Sequence, residues 1–380
     1  MKVAIIHFWL VGMRGGEKVV EALLDIYPQA DIFTHVIDES AISSKILGRV
    51  KDLTFISKLP FAKRLYQSYL PLMPLALEQL DLRGYDLVIS SESGPAKGVL
   101  VDPDALHICY CHSPMRYVWD MYHDYRERAG WFKRLVMPVL MHYLRIWDVT
   151  SSMRVSHFVA NSAYVSRRIR SFYNRSATVI YPPVNTQNFE ISAEKENYYL
   201  MVGELVAYKR ADLAIDVFSR SGKRLKVVGT GELYDECRAK APPNIEFLGK
   251  VDSAELPALY GRARALVFPG TEDFGIVPVE ALASGTPVIA FGKGGALETV
   301  VQGVTGIIFP EQSLASMDAA IAEFESGRYV FQPSTLRNYA AQFDEAVFKT
   351  VFAAFVVDKM AELNAVQQNR YMSEANEKNV

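Results

Sequence analysis

The chain of 380 residues is half hydrophobic and 22% charged, with 41 basic against 43 acidic side chains. This is globular composition, long enough for two domains with their own cores, and a net charge near zero argues against nucleic-acid binding by bulk electrostatics. Charge is unevenly divided: residues 1–190 carry 22 Lys/Arg and 18 Asp/Glu, net +4, whereas residues 191–380 carry 19 and 25, net −6. A basic half suits an acidic partner such as anionic lipid headgroups or phosphates, although ordinary surface variation gives the same asymmetry.

Cys109, Cys111 and Cys237 suggest no disulfide framework, which points to a reducing compartment, expected to be the cytoplasm. No apolar run approaches the ~18 residues of a spanning helix. His7 and Arg14 interrupt the apolar opening, and no small-residue cleavage site follows, so a first buried strand explains it better than a signal peptide.

Residues 3–10 read as that strand, Gly12, Gly15 and Gly16 as a turn, and Val19, Val20, Leu23, Leu24 and Tyr27 as one face of a helix. Strand, glycine-rich turn and helix open a parallel sheet. Further strands are predicted at 86–90, 106–111 and 157–160, giving a doubly wound α/β domain. Pro182 and Pro183 break the pattern, and the polar stretch 192–197 puts a domain boundary near residue 190. A second alternation then starts, with strands predicted at 199–202, 225–228, 245–248, 265–268, 288–290 and 306–309 and helices at 211–219, 254–262 and 277–283. A last helix is predicted from 344 to about 363, before a polar tail, 367–380, expected to fray. The layout is two Rossmann-like domains, 1–190 and 191–343, whose carboxyl strand ends face across a cleft.

The sharpest motif is Glu272-Asp273-Phe274-Gly275-Ile276-Val277-Pro278-Val279-Glu280, followed by Ala281-Leu282-Ala283-Ser284-Gly285-Thr286-Pro287-Val288. A strand runs into a loop, a helix starts near Ile276, and Gly285 ends it. The helix N-terminus offers unpaired N–H groups suited to a diphosphate, Gly275 allows close backbone approach, and the carboxylates can accept from hydroxyls on either side of it. A capping carboxylate and a surface helix Glu would look the same in isolation. This segment resembles the Glu-x7-Glu signature of retaining glycosyltransferases of the GT-B fold, in particular family 4. The resemblance implies that Glu272 contacts the transferred sugar and Glu280 the ribose, with Phe274, Gly275 and Ile276 in the donor-binding loop. It also implies that the last helix, about 344–365, packs back on the first domain.

Two more segments agree. In Gly203-Glu204-Leu205-Val206-Ala207-Tyr208-Lys209-Arg210, the family has an Arg after the Gly and a Lys five residues later, both on the diphosphate. Lys209 matches, Glu204 stands where the Arg is common, and Arg210 is a second, weaker candidate. In the first domain, His112-Ser113-Pro114-Met115-Arg116-Tyr117 and Trp9-Leu10-Val11-Gly12-Met13-Arg14-Gly15-Gly16-Glu17 resemble bacterial mannosyltransferases of cell-surface polysaccharide (O-antigen or exopolysaccharide) synthesis. The resemblance implies that His112 lies near the anomeric carbon and that Gly15 and Gly16 admit the donor phosphates.

Other signals are discounted. His107, Cys109, Cys111 and His112 look like metal ligands, but alternate strand residues sit too far apart for two thiolates to share a zinc comfortably. Asp102-Pro103-Asp104 reads as a turn, and Gly229-Thr230-Gly231 lacks the third glycine of a dinucleotide fingerprint. Basic-aromatic stretches at 55–66 and 126–136 suit either an anionic bilayer surface or a solvated helix face with its aromatics in the core.

The expectation is therefore a retaining hexosyltransferase that needs no metal or other cofactor. It would move mannose from GDP-mannose, or a hexose from a UDP-sugar, to a glycan or polyprenyl-diphosphate-linked acceptor, peripherally on the inner face of the cell membrane. A non-catalytic nucleotide-sugar-binding protein and a GT-B nucleotide-sugar epimerase are the alternatives.

Overall fold

The computed structural model describes residues 1–377 and divides into two compact units. One is Met1–Tyr181 together with the described chain from Phe348 to Glu377; the other is Pro182–Val347. The proline pair itself, rather than the polar stretch after it, opens the second unit. Val184 then bonds to the Phe343 carbonyl, closing that unit's two ends on each other.

The first unit holds a seven-stranded sheet: β1 (Val3–His7), β2 (Asp31–Thr34), β3 (Val50–Leu53), β4 (Leu87–Glu92), β5 (Leu106–Cys111), β6 (His157–Ala160) and β7 (Ala177–Val179), in the order β3-β2-β1-β4-β5-β6-β7. Every pairing is parallel. β1, β4 and β5 are buried at every position, as strands covered by helices on both faces must be. The second unit holds a six-stranded parallel sheet of β8 (Tyr199–Val202), β9 (Leu225–Val228), β10 (Ile245–Gly249), β11 (Leu266–Phe268), β12 (Val288–Phe291) and β13 (Gly306–Phe309), ordered β10-β9-β8-β11-β12-β13. Both are doubly wound Rossmann-like sheets.

The predicted strands 106–111, 157–160, 199–202, 225–228 and 306–309 form as read. β2, β3 and β7 were not legible: each has three or four residues, and β3 reads Val-Lys-Asp-Leu, an edge strand with its two middle residues exposed.

The last helix, Glu345–Glu377, runs past the predicted end and through much of the segment expected to fray; residues 378–380 lie outside the described residues. Phe348, Phe352 and Val356, spaced four apart, bury one stripe of it in the core of the first unit. The rings of Phe348 and Phe352 lie 5.7 and 6.2 Å from Tyr110 on β5.

Candidate active site

Doubly wound sheets bind ligands beyond the carboxyl ends of their strands, where the strand order reverses. In the second unit that point lies between β8 and β11, and their loops carry Lys209 and Glu272. The loops touch so closely that a Cβ on Gly270 would sit 2.6 Å from the Lys209 Cα, a contact only glycine permits. Lys209 ends a short turn, Ala207–Lys209, and its Nζ lies 3.0 Å from Glu272 Oε1. The Glu272 carbonyl accepts from the Gly295 N–H at 2.9 Å, which ties its loop to the one after β12.

Gly275, at φ 86°, caps the Ile276–Ala283 helix without a side chain. The first-turn N–H groups thus stand at the same edge as the Lys209–Glu272 pair, a combination suited to an anion flanked by hydroxyls. Phe274 is buried, with its ring 5.4 Å from Phe343, so only its backbone is offered at the loop. Glu280 lies deeper, 8% exposed, and its Oε2 accepts from the Tyr260 hydroxyl at 2.8 Å. Burial, and then the Glu280 carboxylate, pushes the Tyr260 phenol well above its ordinary range, keeping it a donor. Arg210 adopts φ 53° and points Nε at both Asp212 carboxylate oxygens, 3.1 Å from each, along its own helix.

In the first unit the order reverses between β1 and β4. His7 ends β1, Ser91 and Glu92 end β4, and His112 follows β5. His112 Nε2 lies 2.8 Å from Ser91 Oγ, which lies 3.0 Å from His7 Nδ1. Gly15 and Gly16 open the Gly15–Ile26 helix, and a Cβ on Gly16 would meet His7 Cε1 at 3.3 Å and His112 Nε2 at 3.7 Å. The His112 ring keeps an edge at the surface, yet the protein packed around it, and then His7, push its imidazolium down to about 3, so it is neutral at physiological pH. Its backbone N–H donates to the Glu92 carbonyl at 2.8 Å. Behind that carbonyl, fully buried Lys97 binds the Glu92 carboxylate at 2.6 Å and the Asp148 carboxylate, which also accepts from Trp119 Nε1 and the Tyr173 hydroxyl at 2.7 and 2.9 Å.

Sequence reasoning passed over His7, Ser91, Lys97 and Tyr260. The available signal was His7, a polar residue ending an apolar first strand just before the glycine-rich turn. Asp102 and Asp104 form a turn, with the Asp104 N–H donating to Asp102 Oδ1 at 3.1 Å. Among the described residues no group of three His, Cys, Asp or Glu is arranged to hold a metal, and no helix is long and apolar enough to cross a membrane.

One surface feature stands apart. On the Trp131–Ser152 helix, Trp131, Leu135 and Val139 follow one another at four-residue spacing and are 80%, 70% and 73% exposed. Lys133 and Arg134 lie among them. These apolar side chains are outside, not in the core.

Two family models divide the chain between them: Glycosyltransferase Family 4 matches residues 13–188, and Glycosyl transferases group 1 matches residues 185–344. The O-antigen chain mannosyltransferase RfbU of Salmonella typhimurium is 35% identical over 159 residues, 39% of this chain and 45% of that protein. The alpha-1,3/1,6-mannosyltransferase alg2 of Schizosaccharomyces pombe is 25% identical over 95% of this chain and 79% of its own length. This chain spans about half the length of the first curated relatives it matches, between 45% and 56%. Anabaena HepE, solved in complex with UDP, shares the fold at a TM-score of 0.68 and 17% identity, over 94% of this chain and all of that one. With matching models over both Rossmann-like units and mannosyltransferases among its relatives, the chain belongs to the family 4 glycosyltransferases of the GT-B fold.

Proposed function

We propose that this glycosyltransferase moves a hexose, mannose from GDP-mannose in the first instance, with retention of anomeric configuration, onto a hydroxyl of a glycan or polyprenyl-diphosphate-linked acceptor. The observation that carries the reading is the meeting of Lys209 and Glu272 at 3.0 Å at the switch point of the second sheet, beside the Ile276–Ala283 helix N-terminus. In this reading residues 191–343 bind the donor and residues 1–190 serve the acceptor.

The Lys209 ammonium and the helix N-terminus stabilise the diphosphate as it departs, an electrostatic contribution that requires no metal. Glu272 accepts from hydroxyls of the transferred sugar, and Glu280, held by Tyr260, accepts from the ribose. Phe274, Gly275 and Ile276 present backbone to the phosphates, and Arg210, engaged by Asp212, adds long-range charge only. In the first unit Gly15 offers the helix start to phosphate, Gly16 admits the His7 and His112 rings beside it, and neutral His112 addresses the sugar near its anomeric carbon. Mannose is favoured because RfbU and alg2 are named as mannosyltransferases; a UDP-sugar is the alternative donor, since HepE was solved with UDP. The exposed apolar stripe flanked by Lys133 and Arg134 supports work at an anionic membrane surface.

A panel of nucleotide sugars screened by thermal shift identifies the donor, because a ligand bound only by the folded state raises stability by mass action. Transfer of radiolabelled sugar from the selected donor then separates an enzyme from a non-catalytic binding protein. Interconversion of the free nucleotide sugar would point to an epimerase instead.

A further inference from the structure

We infer that Glu17, His7 and Ser91 form a hydrogen-ordering chain that holds the His112 ring with its hydrogen on Nε2 and presents Nδ1 as an acceptor for a ligand hydroxyl.

The ordering starts at Glu17. Its Oε2 accepts from the Arg14 backbone N–H at 2.9 Å, and it sits in the first turn of the Gly15–Ile26 helix, beside the unpaired N–H groups there. An ionised carboxylate is acceptor-only. Its other oxygen, Oε1, lies 3.6 Å from His7 Nε2. That nitrogen is buried and makes no hydrogen bond among the described residues. A bare lone pair buried against a carboxylate would be repelled, whereas an N–H there is attracted, so His7 carries its hydrogen on Nε2.

The rest follows by counting hydrogens. In the neutral form of His7 that carries its hydrogen on Nε2, Nδ1 is a bare acceptor. Its contact with Ser91 Oγ, 3.0 Å, is then made by the serine hydroxyl donating to it. A hydroxyl has one hydrogen to give, so the 2.8 Å contact between Ser91 Oγ and His112 Nε2 must be made by an N–H of His112. Neutral His112 is thereby left with an unprotonated Nδ1, which makes no hydrogen bond to protein among the described residues. Gly16 lets the helix start pack against both imidazoles, keeping the Glu17 carboxylate beside His7.

The consequence is specificity. An imidazole acceptor takes a hydrogen bond from a hydroxyl and repels an ionised phosphate oxygen, which has no hydrogen to offer. His112 therefore selects the hydroxyl-bearing part of a ligand and disfavours the phosphate there. That the hydroxyl belongs to a sugar rests on the transferase reading; the tautomer does not. Glu17, His7 and Ser91 are positioning residues, acting only through His112.

Long-range proton–nitrogen NMR on full-length, histidine-labelled protein reads the tautomer directly, with His112 assigned by its loss in His112→Asn. The expected wild-type result is hydrogen on Nε2 of both His7 and His112. Ser91→Ala cuts the chain and Glu17→Gln removes its bias, because an amide can donate as well as accept. Each should leave His112 a mixture of tautomers and lower kcat on the order of tenfold with little change in donor KM. Hydrogen on Nδ1 of wild-type His112, or an unaltered His112 tautomer in both variants, would overturn the inference. A protein that shows the Nε2 tautomer but transfers no sugar would instead remove the transferase reading.

Discussion

The Lys209 ammonium and the Glu272 carboxylate meet at 3.0 Å although they stand on different βα loops, because Gly270 lets those loops touch. The pair holds each side chain in place beside the helix N-terminus. Arg210, next in sequence, is directed to Asp212 instead. Lys209→Ala should therefore lower kcat/KM by on the order of a hundredfold, about 3 kcal/mol of transition-state stabilisation. Arg210→Ala should cost less than about tenfold. Steady-state kinetics on both variants decides the matter, and a neutral Lys209→Ala beside a severe Arg210→Ala would reverse the assignment.

Glu280 has a supporting residue that the motif alone does not reveal. Its carboxylate accepts from the buried Tyr260 hydroxyl at 2.8 Å, which fixes its rotamer from the core side. Tyr260→Phe keeps the ring and removes only the donor. The donor KM should rise several-fold, about 1 kcal/mol, with kcat nearly unchanged. A fall in kcat at constant KM would mean that Glu280 acts on the reacting sugar rather than on the ribose.

The contrast between Glu280 and Lys97 shows what a sequence carries. Glu272, Gly275 and Glu280 were legible because strand, loop and helix are contiguous, and local spacing determines which groups come together. Lys97 was not, because its partners Glu92 and Asp148 lie on β4 and on the Trp131–Ser152 helix, and only tertiary packing joins them. His7, Ser91 and His112 likewise meet only when β1, β4 and β5 align in the sheet. The central strands were readable as apolar runs, whereas the edge strand β3, half exposed, has no such pattern.

Lys97 is wholly buried between two carboxylates. Burial alone would lower its pKa, but Asp148 and Glu92 outweigh it and hold the ammonium charged. Lys97→Met keeps much of the volume while leaving both carboxylates without their cation. The unfolding free energy should fall by about 3–5 kcal/mol, the usual consequence of breaking a buried ion pair from one side. Urea denaturation measures it, and a loss under about 1 kcal/mol would mean that the Trp119 and Tyr173 donors suffice.

The exposed stripe on the Trp131–Ser152 helix should bind anionic vesicles. Replacing Trp131, Leu135 and Val139 together by Ser removes apolar contact, whereas replacing Lys133 and Arg134 by Ser removes charge worth about 1 kcal/mol each near such a surface. Both variants should float less with phosphatidylglycerol-containing vesicles, and salt should weaken wild-type binding more than that of the charge variant. Equal flotation of all three proteins would separate this face from the membrane.

The product should be an α-glycoside. The proposed donor, GDP-mannose, is α-linked, and the chemistry assigned to this site stabilises a departing diphosphate with Lys209 and backbone N–H groups rather than using a protein nucleophile. Stabilised in place, the leaving phosphate can take the proton of an acceptor hydroxyl arriving on the face it vacates, which retains the anomeric configuration. In the proposed reading Glu272 orients the sugar for that approach through bonds from its hydroxyls, and the Lys209 ammonium, 3.0 Å away, holds its carboxylate in place. Glu272→Gln preserves shape but replaces a charged acceptor by a neutral one and loses the pairing with Lys209. Turnover should fall on the order of a hundredfold while nucleotide affinity, assigned in this proposal to Lys209, the helix N-terminus and Glu280, changes by less than about tenfold. Proton NMR of the product gives the anomeric configuration directly, and a β linkage formed from an α-linked donor would replace retention by a single inverting displacement.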